Sequence, residues 1–293
     1  MTKIATAAYP IDWLESWSQF EDKLSSWVYE ATGAGSRLLV FPEYGAMELS
    51  SLAGKEVAAD LQGSLRAVAE RIDDVDQLHA SLAQETGSYI LAASAPVLGQ
   101  GARPVNQSRF FAPSGAMVAQ DKQIMTRFER EDWGIQSGDP LQVIETDFGR
   151  IGILICYDSE FPLLGRALSD CDVILVPSCT DALSGYWRVR IGAMSRALEQ
   201  QCVTVMASTV GDAAWTPSVD ANVGAGGVFC PPDKGLPDTG VIAEGQLNQP
   251  GWTYAEVDLA QIAEVRRDGR VLNRKHWQEQ IPRDSMAITR QLR

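Results

Sequence analysis

The sequence lacks several features that would assign the protein to a common class. No apolar run approaches the roughly 20 residues that a membrane-spanning helix needs. The only two histidines, His79 and His276, lie far apart, and there is no Cys-x-x-Cys pair, so a zinc site is short of ligands. Basic residues number 25 against 38 acidic ones, and a formal charge of −13 argues against a nucleic-acid surface. We therefore expect a protein without metal, cofactor, nucleic-acid or membrane partner.

The N-terminus and the cysteines indicate a reducing compartment. The first residues, MTKIATAAYPIDW, hold one lysine, a short apolar run and then acidic sequence, which matches a signal peptide poorly, so we expect a cytoplasmic protein. Five cysteines, an odd number, indicate free thiols rather than a disulfide framework. Four of them are expected to pack as small buried apolar groups: Cys171, Cys179, Cys202 and Cys230.

Strand and helix patterns alternate along the chain. An amphipathic helix is predicted to begin at a cap at Asp12 and end at Gly33, and a long helical region is predicted over residues 55–86. Two hairpins are predicted to turn at residues 113–115 and 147–149. Hairpins mixed with strand–helix units predict an α/β fold in which helices cover a mixed sheet. We expect a single domain over residues 1–293, with a C-terminal tail from about residue 260.

Three reactive side chains stand where predicted strands end. Glu43 follows the apolar stretch LLVFP, Lys122 follows a hairpin strand, and Cys156 follows the apolar run that begins at Gly149. Open α/β sheets bind ligands at the edge where their strands end, so we expect these three residues to meet there. A buried glutamate could take the thiol proton, and a lysine could keep that glutamate ionised and donate to an oxyanion. The pattern predicts a cysteine nucleophile.

A Cys–His dyad is the alternative. His79 lies in the predicted long helical region and is interpreted as a surface residue, and His276 lies in the charged stretch NRKHWQEQ. Neither position indicates a partner for Cys156, although either histidine could fold back towards it.

Three motifs make the chain resemble the nitrilase superfamily of carbon–nitrogen hydrolases. They are F-P-E with Glu43, D-K with Lys122, and GILICYDSEFP with Cys156, in the family's order. The later segments VILVPS and RVRIGAMSRALEQQCVTVMAS are also similar to the family's strand–helix–strand, so the resemblance extends from about residue 2 to about residue 260. It implies a four-layer αββα sandwich of the nitrilase type.

The resemblance also implies roles. Glu43 would be the general base, Lys122 the oxyanion donor and Cys156 the nucleophile, with the backbone N–H of Tyr157 as second oxyanion donor. Members often carry a second glutamate after the lysine. Glu129 and Glu131 are both candidates here, and Glu129 is favoured because it follows Phe128 much as the family's residue follows an aromatic turn.

Cleavage of a small-molecule amide is the reaction we expect. Nitrilases usually show C-W-E at the nucleophile, whereas this chain has Cys156, Tyr157 and Asp158, as in the amidase, carbamoylase and ω-amidase branches. The acidic stretch YDSEFP counts mildly against an N-carbamoyl amino acid, whose carboxylate often meets basic residues there, although Arg166 could still reach it. A nitrilase, an N-carbamoyl amino acid hydrolase, a soluble acyltransferase and a catalytically silent binding protein stay open.

Residues beyond the triad are expected to contact the substrate or a second subunit. Thr180 and Cys179 lie in a loop predicted near the pocket, and Thr180 and Trp187 are candidate substrate contacts. Helix packing is the competing interpretation for Trp187, and surface charge for Arg188 and Arg190. Family members pair through helices, so the apolar stripes behind the nucleophile predict a homodimer or larger homo-oligomer.

Overall fold

Strands and helices alternate through residues 1–98, 103–283 and 287–292, which the computed structural model describes. The strands are β1 Thr2–Pro10, β2 Leu38–Val40, β3 Tyr89–Leu91, β4 Ala95–Leu98, β5 Pro104–Phe111, β6 Met117–Asp121, β7 Ile144–Thr146, β8 Gly149–Ile153, β9 Val173–Ser178, β10 Val203–Asp212, β11 Ala221–Asn222, β12 Gly227–Phe229, β13 Val241–Glu244 and β14 Gly251–Val257. The α-helices are α1 Trp17–Gly33, α2 Lys55–Ala58, α3 Leu61–Ala69, α4 Ile72–Thr86, α5 Pro162–Ala167, α6 Leu183–Gln200, α7 Leu259–Asp268 and α8 Asn273–His276.

The strands join into one curled sheet, ordered β4-β5-β3-β2-β1-β10-β9-β8-β7 along its main path. Pairing is parallel from β3 through β2, β1, β10 and β9 to β8. The two hairpins predicted from the sequence are present as β5–β6 and β7–β8. Strand β1 pairs with β10 only through its last three residues, Ala8, Tyr9 and Pro10, so the two halves of the sheet are joined over a short length and can face each other.

Two apolar layers join the halves of the sheet to each other and to the helices that cover them. One joins Ile4 of the first half with Ile153 and Val205 of the second and continues to α6. The other joins Ala5 and Leu39, on the opposite face of the first half, to α1, α3 and α4. Because residues alternate between the faces of a strand, one strand supplies both layers. Helices cover the outer face of each half, and the predicted α/β four-layer αββα sandwich is confirmed.

Helix α1 begins at Trp17 and not after Asp12, because Ser16 caps it. The Ser16 hydroxyl accepts a hydrogen bond from the Gln19 N–H at 3.3 Å. The predicted helical region over residues 55–86 divides into α2, α3 and α4, with a capping aspartate, Asp60, before α3. Within the described residues, every helix is too short or too polar to span a membrane.

The prediction that His79 lies on the surface is wrong. Its side chain is buried on the inner face of α4, where the ring stacks on Phe111 with 5.5 Å between centroids. Nδ1 donates to the Val75 carbonyl at 2.8 Å. Burial lowers the pKa of His79 to about 4, so the ring is neutral near neutral pH. Val75, His79 and Leu82 follow helical spacing, and His79 completes the apolar face.

The same helix pairs with a buried cation on the sheet. The Arg109 side chain is fully buried on β5, and its Nε lies 2.5 Å from Asp76 Oδ1 on α4. Its Nη1 also donates to the Gln107 carbonyl at 3.3 Å. Removing one partner of a buried ion pair leaves an uncompensated charge, which is more costly than the pair itself. The pair therefore fixes where α4 sits on the sheet.

Asp76→Asn should lower the free energy of unfolding by about 3 kcal/mol, because the buried Arg109 guanidinium loses the half-buried anion that compensates its charge. Denaturant unfolding at neutral pH measures the change. Asp74→Asn is the matched control, the same substitution at an exposed site of α4, and should stay within about 1 kcal/mol of the parent protein. Equal losses in the two variants would contradict the importance of the pair.

Candidate active site

Four strands end at one edge of the sheet. The pairing pattern gives β2, β6, β8 and β9 the same direction. Glu43 lies three residues beyond β2, Lys122 directly beyond β6, Cys156 three residues beyond β8 and Cys179 directly beyond β9. The structure thus brings the three predicted reactive residues together, with Cys179 beside them.

A buried lysine stands between two carboxylates. Lys122 Nζ lies 2.7 Å from Glu43 Oε1 and 2.7 Å from Glu129 Oε2, and all three side chains are at most 3% exposed. Such short charge-assisted hydrogen bonds fix both partners in position. The backbone N–H of Lys122 also donates to the Asn106 carbonyl at 2.8 Å, which ties the lysine to β5.

Of the two candidate second glutamates, the structure brings Glu129 to the site. Its Oε1 accepts from the Tyr44 hydroxyl at 2.8 Å, and its Oε2 accepts from the Thr126 N–H and hydroxyl at 2.8 and 2.9 Å. Glu131 instead pairs with exposed Arg127 at 2.8 Å. Glu129 lies in a single π-helical turn, Glu129–Trp133, which directs it inward.

Cys156 occupies a backbone conformation that non-glycine residues rarely adopt. Its φ is +50°, at the first residue of the 3₁₀ turn Cys156–Glu160. Its Sγ lies 3.8 Å from the carbonyl oxygen of Cys179, whose own N–H donates to Glu43 Oε2 at 3.0 Å. The backbone of one residue therefore contacts both the thiol and the candidate base.

Asp158 connects the turn that begins at Cys156 to the loop that follows Lys122. This fully buried carboxylate accepts from the N–H groups of Gln123 and Ile124, just after Lys122, and of Ile155, just before Cys156. Burial raises the pKa of Asp158 to about 6, against the lowering effect of the Lys122 charge and these hydrogen bonds. The carboxylate fixes the separation between the two loops.

Burial and charge set the resting protonation of the site. Burial raises the pKa of Glu43 to about 7, although the charge of Lys122 opposes it. Burial and the neighbouring Glu43 charge raise the pKa of Cys156 well above its ordinary value. The resting thiol is therefore protonated and needs a base, rather than being a thiolate of low pKa.

The second carboxylate behaves differently. Burial alone would raise the pKa of Glu129, but the Lys122 charge and the hydrogen bonds from Lys122, Thr126 and Tyr44 hold it below its ordinary value. For Lys122, burial is outweighed by the charges of Glu129 and Glu43, which raise its pKa well above the usual range. Of the two carboxylates that contact the Lys122 cation, Glu129 therefore stays ionised and Glu43 titrates near neutrality.

A cavity of about 510 Å³ opens over these groups. Glu43, Lys122, Glu129 and Cys156 contribute to its lining. Much of the remaining wall is aromatic or apolar: Tyr44, Phe128, Trp133, Tyr157, Val189, Pro217 and Val219. Charged side chains also line it: Arg127, Glu160, Asp181, Arg188 and Asp220. The volume and lining fit a small polar molecule with an apolar portion.

The predicted substrate contacts divide into two groups. Tyr157 and Thr180 line the cavity, and the Thr180 hydroxyl donates to the Val223 carbonyl at 2.8 Å. Trp187 is not among the described residues that line it: this side chain is 48% exposed and its ring packs against Arg190. Arg188, interpreted as surface charge, lines the cavity with its Nε 3.4 Å from Glu160 Oε1.

Sequence reasoning missed Asn106, Ser94 and Tyr44. The Asn106 amide lies 2.9 Å from Glu43 and 3.3 Å from Glu129, and Ser94 bonds to it at 2.7 Å. Strand β5 carries four polar residues in a row, from Asn106 to Arg109, so no pattern in the sequence distinguishes Asn106 as the buried amide that needs partners. Across the described ranges, no three His, Cys, Asp or Glu side chains are grouped to hold a metal ion.

Comparisons with known proteins agree on one family. The family model for carbon-nitrogen hydrolase matches residues 3–267. The chain is 32% identical over 281 residues to the probable hydrolase YhcX of Bacillus subtilis (strain 168), covering 95% of this chain and 54% of YhcX. It therefore spans about half the length of that relative.

Two further matches are amidases. The chain is 23% identical over 256 residues to the omega-amidase NIT2 of Danio rerio, covering 82% of this chain and 83% of NIT2. The solved structure of a mutant amidase from Nesterenkonia sp. AN1, with acrylamide added at its active-site cysteine, superposes with a TM-score of 0.66 at 19% identity. That match covers 91% of this chain and 97% of the amidase, and shows a shared fold.

Iodoacetamide should modify Cys156 before the other four thiols, because its thiol lies in the cavity beside Glu43, the candidate base. The rate should be full above pH 7 and fall as the pH drops through about 7, where Glu43 becomes protonated and can no longer accept the thiol proton. Intact mass and peptide mapping from pH 5 to 10 measure this. The control is Cys156→Ala, which should remove the first labelling event; first labelling at Cys179, whose pKa burial raises to about 12, would contradict the expectation.

Proposed function

Because the chain belongs to the carbon–nitrogen hydrolase family, we propose that it hydrolyses a small-molecule amide through a thioester on Cys156. The observation that carries this proposal is the Lys122–Glu43 contact of 2.7 Å in a cavity that also contains the Cys156 thiol. The two amidases among the similar proteins favour an amide as the substrate. The Nesterenkonia amidase has an active-site cysteine that acrylamide modifies, and we propose the corresponding role for Cys156.

The first half of the reaction forms the acyl-enzyme. Glu43 takes the Cys156 proton as the sulfur attacks the amide carbon, so the thiol need not ionise beforehand. The carbonyl oxygen becomes an oxyanion, which Lys122 and the backbone N–H of Tyr157 stabilise, as the resemblance to the family implies. Protonated Glu43 then gives its proton to the departing nitrogen, the C–N bond breaks, and ammonia or an amine leaves with a thioester left behind.

The second half hydrolyses the thioester. Glu43, again ionised, takes a proton from a water molecule that attacks the thioester carbon, and the same donors stabilise the second oxyanion. The C–S bond breaks, the proton returns to sulfur, and the acid leaves. One amide and one water thus give one carboxylic acid and one amine, with the enzyme unchanged. Glu129 stays ionised and keeps Lys122 in place.

The alternatives have less support. For an N-carbamoyl amino acid, the basic residue considered for the carboxylate was Arg166, but its guanidinium stacks on Trp277 at 4.7 Å, away from the residues that line the cavity. The matching hydrolases and amidases support hydrolysis over acyl transfer or simple binding.

A panel of simple amides, ω-amides, N-carbamoyl acids and nitriles, scored by ammonia release, tests which substrate class the protein hydrolyses. Release of ammonia from nitriles alone would overturn the proposal of an amide substrate. The single domain, cytoplasmic location and homo-oligomer stay predictions.

Cys156→Ala should abolish turnover of any amide that the panel identifies, lowering kcat by about three decades or more. The fold should persist because the two side chains are similar in size. Ammonia release and circular dichroism measure the two properties. Cys179→Ala serves as the matched control in the same cavity and should retain turnover; the reverse result would assign the nucleophile to Cys179.

Lys122→Met should shift the acidic limb of the pH–rate profile to higher pH, because Glu43 loses the cation that favours its charged form. The profile should also fall by about two to three decades, as expected for a lost oxyanion donor. Glu43→Gln should instead remove that limb. Initial rates from pH 5 to 10 compare the three proteins. Profiles of identical shape would rule out Glu43 as the titrating base.

A further inference from the structure

Asn106 lies at the centre of the buried carboxylates without carrying a charge. It is fully buried on β5, and its Nδ2 lies 2.9 Å from Glu43 Oε1 and 3.3 Å from Glu129 Oε1. Its backbone carbonyl accepts from the Lys122 N–H at 2.8 Å. One residue therefore contacts both carboxylates and the lysine that separates them.

The direction of the Asn106 amide is fixed by a chain of hydrogen bonds. The Tyr44 N–H, which can only donate, lies 2.9 Å from Ser94 Oγ. Ser94 accepts that bond, and its single proton can then point to Asn106 Oδ1 at 2.7 Å. With Oδ1 occupied as an acceptor, both protons of the Asn106 amide face the carboxylates.

These bonds leave the two oxygens of Glu43 unequal. Oε1 accepts from Lys122 at 2.7 Å and from Asn106 at 2.9 Å, which uses both of its lone pairs. Oε2 accepts from the Cys179 N–H at 3.0 Å and keeps one lone pair. The carbonyl of the same residue, Cys179, contacts the Cys156 thiol. Oε2 is therefore the oxygen with room for the thiol proton.

We propose that Asn106 is a positioning residue that directs the free lone pair of Glu43 Oε2 to the Cys156 thiol and favours the ionised form of Glu43, with Ser94 setting the direction of its amide. Donation to a carboxylate favours its charged form, so Asn106 opposes the effect of burial. Unlike a second lysine, the amide does so without changing the net charge of the cavity. This role rests on the proposed function of Glu43 as the base.

Alkylation of Cys156 by iodoacetamide from pH 5 to 10 tests the proposal, because it depends on the base but requires no substrate. Asn106→Leu removes both donors at similar size and should move the acidic limb upward by about 1 pH unit, since hydrogen bonds to charged groups are the stronger ones. Ser94→Ala frees the amide to rotate and should move the limb in the same direction by about half as much.

Gln120→Leu is the matched control. Gln120 is a buried amide on the neighbouring strand β6, and its Nε2 donates to backbone carbonyls, with the Asp121 oxygen at 2.9 Å. Its loss should lower stability, as any lost buried amide does, and leave the limb at the wild-type pH. The pH of the acidic limb should be the same in the wild type and in Gln120→Leu, higher in Ser94→Ala and highest in Asn106→Leu.

The outcomes separate this inference from the proposed function. A wild-type profile without an acidic limb refutes Glu43 as the base, and both proposals fall. A wild-type limb that Asn106→Leu leaves in place refutes the inference alone, as does a Gln120→Leu limb that moves equally far. If Asn106→Leu does not fold, Ser94→Ala decides: an unmoved limb overturns the proposal and an upward shift supports it.

Discussion

One buried ammonium group determines the arrangement of the site. Lys122 is 1% exposed and lies 2.7 Å from each of two carboxylates, so its charge is compensated where solvent cannot reach it. When both are ionised, Glu43 and Glu129 carry one negative charge more than Lys122 compensates. Hydrogen-bond donors must stabilise that extra charge. Glu129 receives more of these donors than Glu43 and stays ionised, while the pKa of Glu43 rises to about 7. Because the two glutamates differ in their hydrogen-bond donors, Glu129 keeps a fixed charge while Glu43 can accept and release a proton near neutral pH.

Backbone strain supports this arrangement. Cys156 and Tyr44 both have positive φ, at 50° and 53°, and they lie three residues beyond β8 and four residues beyond β2, where the chain enters the cavity. Such conformations cost about 1–3 kcal/mol each and persist where the surroundings determine them. Ser94 accepts a hydrogen bond from the Tyr44 N–H, and Asp158 accepts from both loops around the nucleophile. Buried polar side chains thus hold the strained turns in place.

Strand periodicity and strand ends are local properties, so both hairpins and the meeting of Glu43, Lys122 and Cys156 could be predicted from the residues. The four-layer sandwich followed only from the resemblance to the family. Asn106 was missed because its partners lie 63 and 23 residues away and only the curled sheet brings them together. His79 was misassigned although helical spacing was visible, because its polar ring outweighed its position on an apolar face. Trp187 lies one residue from Arg188, yet only Arg188 reaches the cavity. One step along a helix turns the side-chain direction by about 100°. A sequence motif therefore does not show which of two adjacent residues faces the cavity.

The net charge of the buried groups explains why the proposed reaction suits this cavity. At rest the charges of Glu43, Glu129 and Lys122 sum to one negative unit beside a neutral thiol. When Glu43 accepts the thiol proton, the negative charge passes to sulfur and then to the oxyanion, and the sum is unchanged. Creating a new charge in a site without water costs far more free energy than moving an existing charge between groups that hydrogen bonds or opposite charges already stabilise. A low-pKa thiolate at rest would need a further buried anion next to Glu43 and Glu129. A protonated thiol with a base that titrates near pH 7 avoids that cost, and the second glutamate keeps Lys122 charged throughout the cycle.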